Sequence, residues 1–418
     1  MFISYFDDKR VTENAINGNI KKLAAYRAEI AASATAGTTT VPEYSLYHCK
    51  EFALHEELAA LKKQFKGVTH VVLVGIGGSS LGLEAIHSVL DTGAVKLSVL
   101  DTVSAARIDA VIKSVVAEKK VSRIAVCVIS KSGGTTETIA NAAVLLDALK
   151  EVYGAAIYGQ TIFIGNPGTE LLKYGKKQGA HIFTMPEVIG GRYSVATMVG
   201  LVPLTLLGHD VDEFIEGYLD AGEERFESLV AESAARIAVY HKLKYHHYNF
   251  FAFEPRLEQV GKWYRQLFAE SLGKEVDLAG KTLIHAMVPT VSTPVELHST
   301  GQLYMSGVPD TVTDFVTFDD EIIDVKIARG NKMAAALNGY TMQEVATALY
   351  GGVVGAYQEK QLPYRATIFE ESLPYSLGLF MAMRLREVMY VAKILNVDAF
   401  NQPNVELYKT KTKEILSL

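Results

Sequence analysis

A glycine-rich turn joins an apolar run to a helical pattern near residue 75. The sequence VVLVGIGGSSLG at 71–82 has the form of a strand, a tight turn and the first turn of a helix. Glycine lets a backbone approach a ligand closely, and a helix N-terminus offers unpaired N–H groups and a positive dipole to an anion. The segment therefore predicts an anion site at the turn.

Two other interpretations of this turn stay open. Asp101 ends the next predicted strand, where an acid that binds a ribose would lie in a dinucleotide site. However, Ser80 stands where the dinucleotide fingerprint needs its third glycine, and nothing else in the sequence supports nicotinamide binding. The turn is also compatible with a purely structural role.

A second turn is rich in hydroxyl groups. The apolar run 124–129 is followed by SKSGGTTET at 130–138, which places five Ser or Thr residues within nine positions. Hydroxyls, backbone amides and two glycines at a strand-to-helix switch predict a cup for a phosphate group. The alternative is a simple helix cap, with Thr135 and Thr138 as capping residues. A Walker-type nucleotide loop is excluded, because its G-x-x-x-x-G-K-[ST] spacing does not occur here.

The elements around these turns alternate regularly from residue 69 onward. Continuous apolar runs rich in β-branched residues predict parallel strands that are covered on both faces. Helical patterns lie between them, so the sequence predicts an α/β fold with a doubly wound, mainly parallel sheet. The first forty residues look helical. The predicted strands of this unit are 70–74, 97–100, 124–129, 161–164 and 181–185, and its helices are 81–90, 105–117, 136–153 and 170–178.

A long helical region at 194–248 separates this unit from a second alternating one. We therefore expect two α/β domains of comparable size, at 46–210 and 211–396, between a helical extension at 1–45 and a helical tail at 397–418. The predicted strands of the second unit are 250–253, 282–288, 311–318 and 365–369, and its helices are 257–272, 295–305, 342–359, 375–395 and 405–416.

The composition limits the classes of function. The chain has 418 residues, 49% of them hydrophobic, and a formal net charge of −6, which argues against a general nucleic-acid partner. Its two cysteines, Cys49 and Cys127, form no disulfide framework, so a reducing cytoplasm is expected. We find no signal peptide pattern, and the apolar stretch 195–208 is too short to span a bilayer. A soluble protein without a membrane partner is the expectation.

Six segments, in chain order, resemble the phosphoglucose isomerase family, whose members contain two sugar-isomerase (SIS-type) domains. The resemblance covers roughly residues 45–410. The segments are VGIGGSSLG at 74–82, SKSGGTTET at 130–138, GGRYSVATMVGL at 190–201, QLFAESLGK at 266–274, ELHSTGQ at 296–302 and FNQPNVELYK at 400–409.

The resemblance implies the reversible isomerisation of glucose 6-phosphate and fructose 6-phosphate, a step of glycolysis and gluconeogenesis. That reaction passes through a cis-enediol or enediolate and needs a base, a proton carrier for ring opening and a cation near the oxyanion. It implies no cofactor and no metal. It also implies a homodimer with shared active sites.

The resemblance assigns four catalytic residues. Glu270 matches the base that moves the proton between C1 and C2, and Arg192 matches the arginine that stabilises the enediolate. His298 matches the histidine of ring opening, which comes from the neighbouring subunit in the family, and Lys409 matches the lysine that accompanies it. The expected substrate-binding residues are Gly77, Gly78, Ser79, Ser130, Lys131, Ser132, Thr135, Gly191, Gln266 and Gln402.

Helical spacing supports part of this set. Gln266 precedes Glu270 by four residues on the predicted helix 257–272, which places an amide beside the carboxylate. Arg192 stands at a predicted helix start, where the dipole disfavours a purely structural cation. Both placements are those expected of groups that act on a substrate.

The chain departs from the family pattern at three positions and in the segment VSTP at 291–294, which is atypical before His298. Asn401 replaces a usual Asp, Asn404 replaces a usual Gly, and Gly134 replaces a hydroxyl residue. The lost charge at position 401 leaves the tuning of Lys409 open. None of the departures removes a catalytic group.

Two other hypotheses compete with the isomerase. A non-catalytic sugar-phosphate sensor would need no base, and a dehydrogenase is disfavoured by Ser80. Separately, His241, His246 and His247 cluster in sequence, but they lack the i,i+4 spacing that a helical metal site needs, so no metal site is expected there.

Overall fold

The computed structural model describes residues 1–306, 310–318 and 325–417. They form two five-stranded sheets with helices packed against them. The strands are β1 (Phe2–Tyr5), β2 (His70–Val74), β3 (Lys96–Leu100), β4 (Ile124–Ile129), β5 (Thr161–Gly165), β6 (His181–Thr184), β7 (His247–Ala252), β8 (Val288–Ser292), β9 (Thr311–Phe318) and β10 (Tyr364–Phe369).

Most of the helices lie in the segments that connect consecutive strands, and the last two follow the final strand. They are α1 (Glu13–Ala36), α2 (Phe52–Gln64), α3 (Leu81–Leu90), α4 (Ala105–Val116), α5 (Thr136–Tyr153), α6 (Glu170–Gln178), α7 (Met198–Leu206), α8 (Val211–Asp220), α9 (Glu224–Lys242), α10 (Glu258–Leu272), α11 (Gly301–Ser306), α12 (Met342–Glu359), α13 (Leu373–Leu395) and α14 (Glu406–Leu416).

The first sheet has the order β3-β2-β4-β5-β6, and all of its neighbours are parallel. Strands β2 and β4 are buried along their whole length. Their side chains alternate between two hydrophobic clusters: Leu73 and Cys127 belong to one, Val74 and Val128 to the other. Both faces are therefore covered, as the continuous apolar runs predict.

The second sheet has the order β1-β10-β9-β7-β8. Strands β7 to β10 are parallel to one another, and β1 joins the edge antiparallel to β10. The predicted fold class is confirmed. The larger hydrophobic cluster contains both Leu73 of the first sheet and Phe250 of the second, so the two units share a core. The predicted domain boundaries stay a prediction.

Two predictions are wrong in part. Helix α1 confirms the helical pattern over Glu13–Ala36, but Phe2–Tyr5 forms edge strand β1 because β10 offers it an open edge. The strand expected at 282–288 lies at Val288–Ser292, whose proline and hydroxyl residues weaken the apolar signal. Pro289 is tolerated there because β8 is an edge strand.

The region 194–248 is not one long helical block. It divides into α7, α8 and α9, with breaks at Gly208, which has φ +82°, and near Gly222, and strand β7 begins at His247. The predicted helix 295–305 is a 3₁₀ turn, Pro294–His298, followed by α11.

None of the helices in the described ranges is both long and apolar enough to cross a membrane.

Four buried charged residues lie between the second sheet and α13. Asp314 of β9 accepts hydrogen bonds from Arg365 of β10 at 2.9 and 2.5 Å. Glu387 accepts from Arg384 at 3.0 and 3.1 Å and also from Arg365. Each of the four is less than 5% exposed. We refer to them as the charge cluster.

Candidate active site

The candidate site lies at the carboxyl ends of β2 and β4. These strands are parallel neighbours. From β2 the chain adds β3 on one side, and it then returns to add β4 on the other side. The two turns identified in the sequence, 75–80 and 130–135, follow these strands and therefore lie side by side. Ligands of open α/β sheets bind at such switch points.

Gly78 connects the first turn to the segment that carries Arg192. A Cβ placed on Gly78 would lie 2.2 Å from the carbonyl carbon of Gly191 and 2.7 Å from the backbone nitrogen of Arg192. Gly77 has φ +61°, and a Cβ there would lie 3.0 Å from Nε2 of Gln266. Both glycines therefore let other site segments approach closely, whatever they contribute to a ligand.

Arg192 is 3% exposed and contacts the end of α10. Its Nε donates to Ser271 Oγ at 2.8 Å, and its Nη1 donates to Glu270 Oε2 at 3.2 Å. The same Nη1 donates to Gln402 Oε1. Three predicted site residues that are distant in sequence are thus brought into contact. The Glu270 side chain is 30% exposed, so the carboxylate remains accessible from outside.

The backbone of 399–401 completes the surroundings of Arg192. Nη2 donates to the carbonyls of Ala399 at 2.5 Å and Asn401 at 3.2 Å. Tyr193 OH donates to the same Ala399 carbonyl at 3.1 Å. Since a guanidinium has five N–H donors, every donor of Arg192 has a protein acceptor.

The predicted neighbour relation within α10 is confirmed. Gln266 Nε2 donates to Glu270 Oε1 at 3.0 Å, so the carboxylate has an amide on one oxygen and a guanidinium on the other. Gln266 Oε1 is buried without a hydrogen-bond partner in the described part of the chain.

The hydroxyl-rich turn closes on itself. Ser130 Oγ and Thr135 Oγ1 share a hydrogen bond of 3.0 Å, and the Gly134 amide donates to Ser132 Oγ at 3.3 Å. Gly133 has φ +67°, a conformation that favours glycine. Half-burial lowers the pKa of Lys131, and the carboxylate of Glu187 partly offsets that effect. The turn thus gathers hydroxyls, an amide and a cation where β4 ends.

Thr138 lies in the first turn of α5, directly after this turn, and capping was the alternative role considered for it. It is 1% exposed, and its Oγ1 has no hydrogen-bond partner among the described residues. A buried hydroxyl without a hydrogen-bond partner lowers the stability of the fold unless a ligand or a water molecule supplies that partner. Its position in the hydroxyl-rich segment was visible in the sequence, but its unpaired state was not.

Two predicted catalytic residues make no hydrogen bond to Arg192 or Glu270 in the described part of the chain. His298 is exposed on the 3₁₀ turn Pro294–His298 and makes no hydrogen bond to Arg192 or Glu270. Lys409 lies on α14, where its Nζ bonds Glu406 Oε1 at 2.6 Å. Among the described residues, hydrogen bonds therefore connect Arg192 to Glu270 but connect neither residue to His298 or Lys409.

The histidine group differs from the one considered in the sequence. His285 lies with its ring 4.7 Å from that of His241 and 5.3 Å from that of His246. Across residues 1–306, 310–318 and 325–417, no three His, Cys, Asp or Glu residues are arranged to hold a metal ion.

Comparison with known proteins gives the family. A family model described as phosphoglucose isomerase matches residues 6–418. A glucose-6-phosphate isomerase of Thermus thermophilus is 30% identical over 357 residues, which cover 84% of each chain. One of Clostridium tetani is 31% identical over 382 residues, covering 85% of this chain and 82% of its own.

Solved structures agree. A hypothetical protein of Thermus thermophilus has a TM-score of 0.85 at 26% identity and covers all of both chains. A glucose-6-phosphate isomerase of Chlamydia trachomatis has a TM-score of 0.81, covers 99% of this chain and 88% of its own, and shows the shared fold at 18% identity. The resemblance inferred from the six segments is confirmed. Because the family model spans nearly the whole sequence, the chain belongs to the phosphoglucose isomerase family.

Proposed function

We propose that this chain interconverts glucose 6-phosphate and fructose 6-phosphate, with Glu270 as the base. One observation carries the proposal. A partly exposed carboxylate, Glu270, lies between the guanidinium of Arg192 and the amide of Gln266, beside the turns that end β2 and β4. An aldose–ketose exchange needs such a base next to a fixed positive charge.

The steps follow from this arrangement. After ring opening, the Glu270 carboxylate takes the proton from C2 of the aldose. The electrons of that C–H bond form the C1=C2 double bond, and O1 becomes the oxyanion of a cis-enediolate. Glu270 then returns the proton to C1, while the proton of the O2 hydroxyl passes to O1, so that O1 becomes a hydroxyl and O2 the ketose carbonyl. Atoms and electrons balance without an oxidant or a cofactor.

Arg192 stabilises the enediolate mainly through its fixed charge. All its N–H groups already have acceptors, so a direct hydrogen bond to the oxyanion requires one of them to be released. Gln402 is the acceptor most easily displaced, because it is an exposed side chain, whereas Ala399 and Asn401 contribute backbone carbonyls. A preorganised charge costs no reorganisation during the reaction.

The phosphate of the substrate is assigned to the turn after β4, residues 130–135, which we call the phosphate turn. Ser130, Lys131, Ser132 and Thr135 supply hydroxyls and a cation there, and the unpaired Thr138 hydroxyl is available as a further donor. Gly77, Gly78 and Ser79 lie on the adjacent turn, Gly191 begins the 3₁₀ turn Gly191–Tyr193, and all four are assigned to the sugar.

The first experiment is the conversion of fructose 6-phosphate by purified protein in the presence of a chelator. Glu270→Gln keeps the hydrogen-bonding shape but removes the base, so kcat should fall by about 10²–10⁴-fold. Binding of the sugar phosphate, measured by calorimetry, should remain. Glu275→Gln, at an exposed position five residues further on, is the matched control and should retain wild-type kcat.

Two outcomes would contradict the proposal. A wild-type protein that binds the sugar phosphate without turnover would be a sensor. A folded Glu270→Gln variant with wild-type turnover would remove Glu270 from the base role.

The proposal includes a homodimer in which His298 serves the partner's site. Support comes from its exposed position and from apolar side chains exposed on the same part of the chain. Ile284 is 90% exposed, Leu303 on α11 66% and Leu349 on α12 53%, and exposed apolar groups of this kind mark interaction surfaces. Lys409 is assigned to ring opening from α14, with Asn401 as its altered neighbour.

Mixed dimers test the shared site. Glu270→Gln and His298→Ala subunits are each expected to be inactive alone. Dissociated and reassociated together, they should form heterodimers with one intact site and recover about a quarter of wild-type activity, by random pairing. Without recovery in confirmed heterodimers, His298 would act within its own subunit.

A cytoplasmic location and a role in glycolysis and gluconeogenesis complete the proposal. Cys49 and Cys127 are both free and buried, which is compatible with a reducing compartment. Fractionation of the source cells would test the location.

A further inference from the structure

Lys274 lies just beyond the end of α10 and is not used by any step above. Its Nζ donates to the carbonyl of Glu270 at 2.7 Å and to the carbonyl of Asn401 at 2.5 Å. One ammonium group thereby joins the helix that carries the base to the segment that carries Gln402. This contact links parts of the chain that are more than a hundred residues apart in sequence.

The Asn401 carbonyl accepts from two cations. Arg192 Nη2 approaches it at 3.2 Å, and Lys274 Nζ approaches it at 2.5 Å. Arg192 in turn contacts the carboxylate of Glu270. Lys274 and Arg192 therefore each contact both Glu270 and the Asn401 carbonyl. Removal of the Lys274 amine leaves that carbonyl with Arg192 as its one cationic donor.

The surroundings of Lys274 are charged on several sides. Arg192 faces it from the 191–193 turn, Asp398 from the segment before Asn401, and the Glu270 carboxylate from α10. Burial, and then the charge of Arg192, lower the pKa of Lys274 to about 8, although the two carboxylates oppose this. No carboxylate of the described residues forms an ion pair with it, so its partners are backbone carbonyls.

We propose that Lys274 is a positioning residue for the isomerisation: it holds the 401 carbonyl against the end of α10 and so fixes Arg192 and Gln402 relative to Glu270. The inference rests on the proposed function. It predicts an effect on the chemical step rather than on phosphate binding, because the hydrogen bonds of Lys274 go to the carbonyls of Glu270 and Asn401 and not to the phosphate turn.

The test replaces the amine by an apolar chain of similar length. Lys274→Met should lower kcat by about 10- to 100-fold, the scale of a small misplacement of catalytic groups, with KM for fructose 6-phosphate within about threefold. Lys274→Arg can still donate to both carbonyls and should recover most of kcat. Lys281→Met, which removes an exposed lysine of the next segment, is the control and should behave as wild type.

The pH profile gives a readout that a loss of stability would not produce. The protonated amine is the better donor, so wild-type kcat should be full below pH 8 and decline as the pH rises through it. In Lys274→Met that decline should be absent, and in Lys274→Arg it should move to higher pH. Hydrogen exchange of the amides at 400–402 should become faster in Lys274→Met, independently of activity.

The outcomes separate the two proposals. A wild-type protein without turnover overturns the proposed function and with it this inference. If the wild-type protein is active and Lys274→Met has the same kcat, pH profile and hydrogen-exchange rates, this inference is overturned and the proposed function stands. A rise in KM with unchanged kcat also overturns it, because that result would place Lys274 in substrate binding.

Discussion

The two sheets share the order of four strands but differ in their chemistry. In the first, β2 lies between β3 and β4, and β5 follows β4; in the second, β7 lies between β8 and β9, and β10 follows β9. The first sheet ends in turns rich in glycine and hydroxyl groups. The second sheet instead has the charge cluster buried between its strands and α13.

This difference shows that one topology can place its polar groups for two purposes. In the first sheet they lie at the strand ends, beside Glu270 of α10, whose side chain is 30% exposed and available to a ligand. In the second they are enclosed, and tyrosines add hydrogen bonds to them: Tyr248 donates to Asp314 at 2.8 Å and Tyr264 to Glu387 at 2.7 Å. Changes in the second sheet should therefore affect stability, and changes in the first should affect turnover.

The largest effect is expected in the charge cluster. Glu387→Gln leaves Arg365 and Arg384 with a single carboxylate between them and should lower the free energy of unfolding by about 3–5 kcal/mol. Urea unfolding measures it. Glu170→Gln, which breaks the exposed pair with Lys173, is the control and should change it by less than about 1 kcal/mol. Similar values for both variants would contradict the comparison.

The same carboxylate predicts a loss of stability in acid. Burial works to raise the pKa of Glu387, but the charges of Arg365 and Arg384 outweigh it and lower that pKa to about 2. Since the unfolded value is about 4.3, its contribution is complete above that pH and is lost as the pH falls toward 2. The urea midpoint should decline across this window, and Glu387→Gln should flatten the decline. An equal decline in both proteins would rule out Glu387 as its source.

A change in the first sheet should act on turnover. Gly78→Ala would place a methyl group 2.2 Å from the Gly191 carbonyl carbon, so the segment that carries Arg192 must move. We expect kcat to fall about 100-fold in steady-state assays. Gly159→Ala is the control, because nothing lies within 4 Å of its Cβ position. Unchanged turnover in Gly78→Ala would mean that the close approach is unimportant.

The smallest effect is expected at the phosphate turn. Ser130→Ala removes one hydroxyl and breaks its hydrogen bond to Thr135, which should raise KM for fructose 6-phosphate about tenfold, or about 1.4 kcal/mol. kcat at saturation should change less than KM. A normal KM would place the phosphate elsewhere.

Local patterns predicted what depends on neighbours in sequence. The turns after β2 and β4 and the contact between Gln266 and Glu270 follow from strand, turn and helix periodicity, and the structure has them. Strand β1 and the position of β8 were missed, because edge strands carry a weak apolar signal. Sequence spacing also does not predict the contacts among Arg365, Asp314 and Glu387, since the three residues lie on different elements.

The role of Lys274 was missed for a related reason. The segment that contains Lys274 was recognised in the sequence. The proposed role of Lys274, however, depends on the backbone carbonyl of Asn401, and every residue type has such a carbonyl. The roles assigned to the candidate site residues stay predictions until the variants above are measured.

The engagement of Arg192 has a consequence for how the protein acquires its activity during synthesis. Its side chain is 1% exposed and takes acceptors from Ala399, Asn401 and Gln402, about two hundred residues further along the chain. Before those residues are synthesised, enclosing this cation would remove its water without supplying its partners, which is unfavourable. Arg192 can therefore reach its enclosed position only after residues 399–402 have left the ribosome, so nascent chains that lack them stay open around Arg192 and inactive.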